Sequence, residues 1–229
     1  MIIAFDGNVY TGKTTLIKAL SKKIHANIVS EYSEYFNEAK KQSKKRMDHL
    51  KIQLEYLKLD QKRRTSLSSK QMNLLDRSFI SLFAHVWATY NAGIDIRRET
   101  LKEFAIFLKR NKIIIPTIYV DVYSPLDIVK ERLSQNKKLR ILKNTADYLI
   151  EEDYFNSIQI FNERIFRLLP SLRINTASSL SKNVNELTRF LNSLPELHTT
   201  KAELLKKITS VLLMKKSDYS TYSGQFLHQ

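Results

Sequence analysis

Gly7-Asn8-Val9-Tyr10-Thr11-Gly12-Lys13-Thr14 sets two glycines, a lysine and a hydroxyl at the spacing G-x-x-x-x-G-K-[ST]. These residue types at this spacing suit one task, the holding of a chain of phosphates. Backbone N–H groups across Gly7, Asn8, Tyr10, Thr11 and Gly12, and those of Lys13, Thr14 and Thr15 where a helix begins, offer donors and the positive end of a helix dipole to anionic oxygen. Lys13 adds a point charge for the β and γ phosphates, and the Thr14 hydroxyl is a ligand for Mg²⁺. The chain has only four glycines, two of them in this motif. ATP or GTP binding, with Mg²⁺, is therefore the first expectation. A second constellation is Asp76-Arg77-Ser78, which follows the apolar Leu74-Leu75. Asp76 at the end of a strand is placed as a metal-holding carboxylate; the plainer reading is a helix N-cap beside a surface arginine.

The elements that must carry these groups are legible in the pattern. Met1 to Phe5 reads as a buried strand running into the loop, and Leu16, Ile17, Leu20 and Ile24 recur at helical spacing, starting a helix near Lys13. Ala26 to Val29 and Met72 to Leu75 are short strand candidates, and residues 33 to 66, without Pro or Gly, predict one broken or two consecutive helices. Phe79, Phe83, Trp87 and Tyr90 form a stripe on the next helix, expected to be packing rather than a ligand cage. Leu101, Phe104 and Leu108 mark another helix, and Ile113 to Val122 is the richest β-branched run, with Pro116 at its entrance. Pro125 falls near the first turn of a helix to about Gln135, and residues 136 to 147 make a basic connector. Tyr148 to Leu169 reads as helix, Leu172 to Asn175 as a last strand, and Val184 to Leu191 as a further helix. Strands alternating with helices predict an α/β fold, a mostly parallel sheet covered on both faces, over about residues 1 to 195. Residues 196 to 229 add an amphipathic helix around Ala202 to Met214 and a polar tail.

Composition narrows the classes. No apolar run approaches the roughly 18 residues of a membrane helix, the amino terminus has no basic leader, and a cytoplasmic protein without a membrane partner is expected. With no Cys, disulfides and cysteine-based zinc sites are excluded. His25, His49, His85, His198 and His228 lack ligand spacing. The formal net charge is +15, and residues 37 to 70 hold eleven Lys or Arg against four Asp or Glu. Such a segment is either a solvated helical face or a surface for a polyanion such as nucleic acid.

With the phosphate loop and Asp76-Arg77-Ser78 in hand, the chain resembles the deoxynucleoside kinase and thymidylate kinase superfamily of P-loop enzymes over about residues 1 to 193. That resemblance implies a parallel sheet of about five strands and phosphoryl transfer from ATP to a nucleoside-like or nucleotide acceptor, with a homodimer possible. It implies a catalytic carboxylate at Glu31, after the second strand, an aromatic residue against the base at Phe36, and a base-reading amide at Gln53, which precedes Asp76 by 23 residues. It also implies that Arg77 bridges acceptor and phosphoryl group, and that Arg132 with Lys137, Lys138 and Arg140 closes a lid over the phosphates. Two departures stand out. Tyr32 follows Glu31 where the family usually has Pro, and no acid lies between Glu131 and Asp147 to clamp a sugar hydroxyl. The reading of another class is a nucleotide-dependent switch that contacts nucleic acid or protein through its basic surface, although no guanine-reading Asn-Lys-x-Asp is present.

Overall fold

The computed structural model describes residues 1–35, 45–135, 147–193 and 199–215. Five strands, β1 (Ile2–Asp6), β2 (Asn27–Val29), β3 (Asn73–Asp76), β4 (Ile118–Tyr123) and β5 (Ser171–Asn175), form one sheet in the order β2-β3-β1-β4-β5. Every pairing is parallel, with Ile2 opposite Asn73 and Ile3 opposite Ile118. The described helices are α1 (Lys13–Ile24), α2 (Arg46–Arg63), α3 (Phe79–Asn91), α4 (Arg97–Lys109), α5 (Leu126–Gln135), α6 (Glu152–Phe166), α7 (Leu180–Asn192) and α8 (Lys201–Leu212).

Side-chain alternation divides the core into two layers. Ile3, Phe5, Leu74, Ile118, Val120 and Val122 meet Leu16, Ile17 and Leu20 of α1 and Val184 and Leu187 of α7. Ala4, Leu75 and Tyr119 point the other way, onto α3, α4, α6 and α8. The stripe on α3 is packing, as expected: Phe79, Phe83 and Trp87 are fully buried, and Phe104 lies edge-on to Phe83 with centroids 4.9 Å apart. Helix α8 belongs to the same layer through Leu204, Ile208, Val211 and Leu212. Its carboxyl end is capped by Arg97, which donates to the carbonyls of Leu212 (3.2 Å) and Met214 (2.9 Å) while lying over the Tyr90 ring.

Several boundaries differ from those the sequence suggests. Strand β4 begins at Ile118, because Pro116 has no N–H to give a ladder and Thr117 donates to Ile2 at the strand's entrance instead. The helix expected from Tyr148 starts at Glu152, after a 3-10 turn over Asp147–Ile150. Between residues 33 and 66 the chain makes a 3-10 turn, Tyr32–Tyr35, and then the single long α2, with residues 36–44 outside the description. No helix among the described residues is long and apolar enough to cross a membrane.

Candidate active site

Because β1 lies between β3 and β4, the loop that leaves its carboxyl end opens at the place where the strand order diverges, the usual crevice of such sheets. Two glycines give that loop its path. Gly7 has φ +140° and a β-carbon there would lie 2.0 Å from the Val122 carbonyl oxygen; Gly12 has φ +85°. Tyr10 also takes the left-handed region, at φ 56°. Asn8 ties the loop to α6 by donating to the Phe155 carbonyl (3.0 Å), and Thr11 donates to the Asn8 carbonyl (3.0 Å). Thr14 and Thr15 open α1 on its exposed side.

Lys13 is buried, and its ammonium lies along the loop, donating to the carbonyls of Asn8 (2.5 Å) and Gly7 (3.2 Å). Burial, and then the neighbouring Arg77, pull its pKa down to about 7, against the opposing pull of Asp76, Glu31 and Asp6. The Thr14 hydroxyl donates to Asp76 Oδ2 (2.6 Å), while the buried Oδ1 of Asp76 has no hydrogen-bond partner among the described residues. Burial raises the Asp76 pKa, with Lys13 opposing. A hydroxyl and a carboxylate joined in this way, with one carboxylate oxygen unspent, fit a hard divalent cation, which takes oxygen ligands. No cluster of three or more His, Asp or Glu able to hold a metal by itself occurs among the described residues.

Glu31 and Arg77 come together. Arg77 Nε donates to Glu31 Oε1 (2.5 Å), and its other edge donates to the Gly7 carbonyl (2.9 Å), so one guanidinium spans the carboxylate and the phosphate loop. Burial pushes the Glu31 carboxyl up, but Arg77 and then Lys13 bring it below its ordinary range. Arg77 is itself held at φ 69° with its N–H on the Phe5 carbonyl (3.0 Å). Ser78 does cap α3, accepting from the Ile80 N–H, but the arginine beside it is buried, not the surface residue of the plainer reading.

Gln53 is buried on α2, and its amide makes no hydrogen bond to a described residue. Arg132 reaches back from α5 to Thr176, donating to its carbonyl (2.6 Å) and hydroxyl (3.2 Å), and its guanidinium lies beside Gly12. Thr176 in turn donates to the Thr11 carbonyl (2.5 Å). Phe36, Lys137, Lys138 and Arg140 lie outside the described residues. In the basic segment, Lys51, Lys58, Lys62 and Arg64 are exposed, but Arg63 is fully buried, so part of that charge is internal.

Several residues of the site escape a reading by motif. Asp6, at the end of β1, accepts from the backbone and hydroxyl of Ser78 (2.8 and 2.7 Å) and of Ser81 (3.2 and 2.6 Å), joining the loop's base to the start of α3. His85, one helical turn beyond Ser81, has its Nδ1 3.1 Å from the Tyr154 hydroxyl; burial and Arg77 lower its pKa to about 3, which leaves it neutral. Tyr56 stands edge-on to Tyr32 (5.5 Å), and Tyr148 edge-on to Tyr154 (5.2 Å). The acid directly before Gly7 is the one signal that could have found Asp6; nothing in the local spacing marks His85.

A family model described as "AAA domain" matches residues 3–118. No curated protein matches the chain. Among solved structures, a deoxyadenosine kinase from M. mycoides with dCMP and a flexible dCDP bound superposes with a TM-score of 0.63 at 17% identity, over 85% of this chain and 100% of that one. The same enzyme with dATP gives 0.61 at 15% identity, over 84% and 100%. Thymidylate kinase from Candida albicans gives 0.51 at 12% identity, over 84% and 91%. At such identities the superpositions speak for the fold, which is that of the P-loop kinases. The match over half the chain, on a strand, loop and helix built to hold phosphate, gives the family: this chain belongs to the AAA-domain family of P-loop proteins.

Proposed function

We propose that this chain is a kinase that moves the terminal phosphoryl group of ATP to a hydroxyl of a nucleoside-like acceptor, with Mg²⁺ assisting. One observation carries the reading: Glu31 is paired with Arg77, whose other edge rests on Gly7 of the phosphate loop. A carboxylate kept ionised beside a phosphate site has a use when the acceptor must lose a proton, as a hydroxyl must and a phosphate monoester need not. The kinase neighbours, one of them solved with deoxynucleotides bound, support the same class.

In this reading the loop N–H groups and Lys13 hold the nucleotide's phosphates, and Lys13 leaves its carbonyl partners for phosphate oxygens. Glu31 takes the acceptor hydroxyl's proton as the new oxygen–phosphorus bond forms and the bond to the departing ADP breaks. Arg77 holds the carboxylate and the transferred group in one frame, so that positioning and charge compensation do most of the work. Asp76 and Thr14 would hold Mg²⁺, which supplies neutralisation of phosphate charge. Gln53 reads the base with an amide that has both donors and an acceptor to give. Arg132, with Lys137, Lys138 and Arg140, covers the phosphates.

The test is ADP formation measured over a panel of nucleosides and nucleoside monophosphates, with the parent and with Glu31→Gln. Nucleoside-dependent turnover that falls about 100-fold or more in Glu31→Gln is expected, since the amide keeps the shape and loses the base. Turnover with monophosphates alone, indifferent to Glu31→Gln, overturns the hydroxyl acceptor. ATP hydrolysis that no small molecule stimulates overturns the kinase.

A further inference from the structure

Arg63 has 0% of its surface exposed, although it comes from the most basic stretch of the chain. Its guanidinium is spent on groups around the site. Nε donates to the Ser30 carbonyl (3.1 Å), one terminal nitrogen to Asp60 Oδ1 (3.1 Å), and the other to the carbonyls of Asp76 (3.0 Å) and Arg77 (2.8 Å). The plane lies over the Tyr32 ring, 4.1 Å from its centroid. The Tyr32 hydroxyl donates to Asp60 Oδ1 (2.9 Å), and Asp60 Oδ2 accepts from the Ile114 N–H (3.3 Å). Buried charge pairs seldom stabilise a fold more than apolar groups of the same volume, so the placement calls for a reason other than stability.

The bonds fall in a pattern. Ser30 and Tyr32 bracket Glu31, one reached through Arg63 itself and the other through Asp60 and the stacked ring. Asp76 and Arg77 are gripped by their carbonyls, and Arg77 holds a left-handed backbone that side chains other than glycine rarely adopt unaided. We propose that Arg63, with Asp60 and Tyr32, is the positioning device that sets the separation of Glu31 and Arg77. Arg63 is a positioning residue, acting through the two groups that face the acceptor. The functional consequence rests on the kinase reading; the geometric claim does not.

The test uses the full chain with Tyr32→Phe, which keeps the ring and removes the hydroxyl, and with Arg63→Lys, which keeps the charge and loses the span. Arg77 Nε–H is followed in proton–nitrogen spectra of the nucleotide-free protein, its signal assigned by its loss in Arg77→Lys. Exchange of that hydrogen with water at least about tenfold faster in both variants is expected, because its bond to Glu31 is no longer held closed. In the acceptor assay, kcat should fall about tenfold or more while KM for ATP stays within about twofold. Unchanged Arg77 Nε–H exchange in folded Tyr32→Phe overturns the proposal, whether or not Arg63→Lys folds. A parent protein without acceptor-dependent turnover sinks the kinase reading, and the exchange measurement then still decides the positioning claim.

Discussion

Lys13 is a side chain the fold tolerates at a cost. Its pKa of about 7, against an ordinary 10.5, means that holding it charged in place is unfavourable, chiefly through burial. Lys13→Met should therefore lose nucleotide binding and yet melt higher than the parent, the exchange of stability for function that working sites often display. The sign follows from linkage: a lysine whose folded pKa is depressed carries its full penalty below pH 7, and the penalty fades as pH climbs toward 10.5. The gain in Tm should be largest at pH 7 and below and shrink above it; a lower Tm for the variant at pH 7 would contradict the burial argument. At this scale the sequence points to the residues whose spacing phosphate binding would fix. Lys13, Thr14, Asp76 and Arg77 sit in short contiguous motifs that only a strand, loop and helix can display. Arg63 and Asp60 were hidden because an arginine in a run of Lys and Arg looks like surface, and because the groups they serve, at Ser30 and Asp76, lie far along the chain.

Among the elements, the carboxyl ends of β1 and β4 are pressed together at Gly7. A methyl at that position meets the Val122 carbonyl backbone, which cannot swing aside as a side chain can, and the glycine's φ is positive as well. Gly7→Ala should cost about 2 kcal/mol or more in urea unfolding, together with activity; a variant of unchanged midpoint would show that the two strands part easily. One residue earlier, Asp121 of β4 lies opposite Asp6 of β1. Burial raises the Asp121 carboxyl to about 7, although Arg173 Nε is 3.3 Å away. The folded protein thus holds a proton that the unfolded chain releases between pH 3.8 and about 7, so this carboxyl costs stability as pH rises through that window. Asp121→Asn should raise Tm at pH 8 and give little at pH 4, and Arg173 keeps Glu163 as a partner at 2.6 Å. The strands and helices themselves were legible, since apolar runs and 3.6-residue stripes are local. Where β4 begins was marked by Pro116 alone, because the β-branched run from Ile113 carries the same signal whether or not a neighbouring strand is present to pair with it.

Over the whole molecule, the carboxyl-terminal helix is as much a part of the core as any central element. The sequence marks α8 as amphipathic but holds no sign of what it would meet, since its partners, α6 and α4 with Arg97, lie far back in the chain. Ile208→Asp places a charge at a fully buried position and should cost several kcal/mol, on the order of 3 or more, lowering cooperative unfolding of the entire domain. Loss of α8 alone, with the sheet melting as before, would mark the helix as an appendage. The order of the strands also carries a consequence in time. β1 contains almost the first residues of the chain, yet it is the central strand, and its partners on either side begin at Asn73 and Ile118. Neither neighbour exists when β1 is made, and loops of that span close slowly. The phosphate loop, though it follows directly on β1, can take its working shape only after the chain as far as β4 has arrived to hold it.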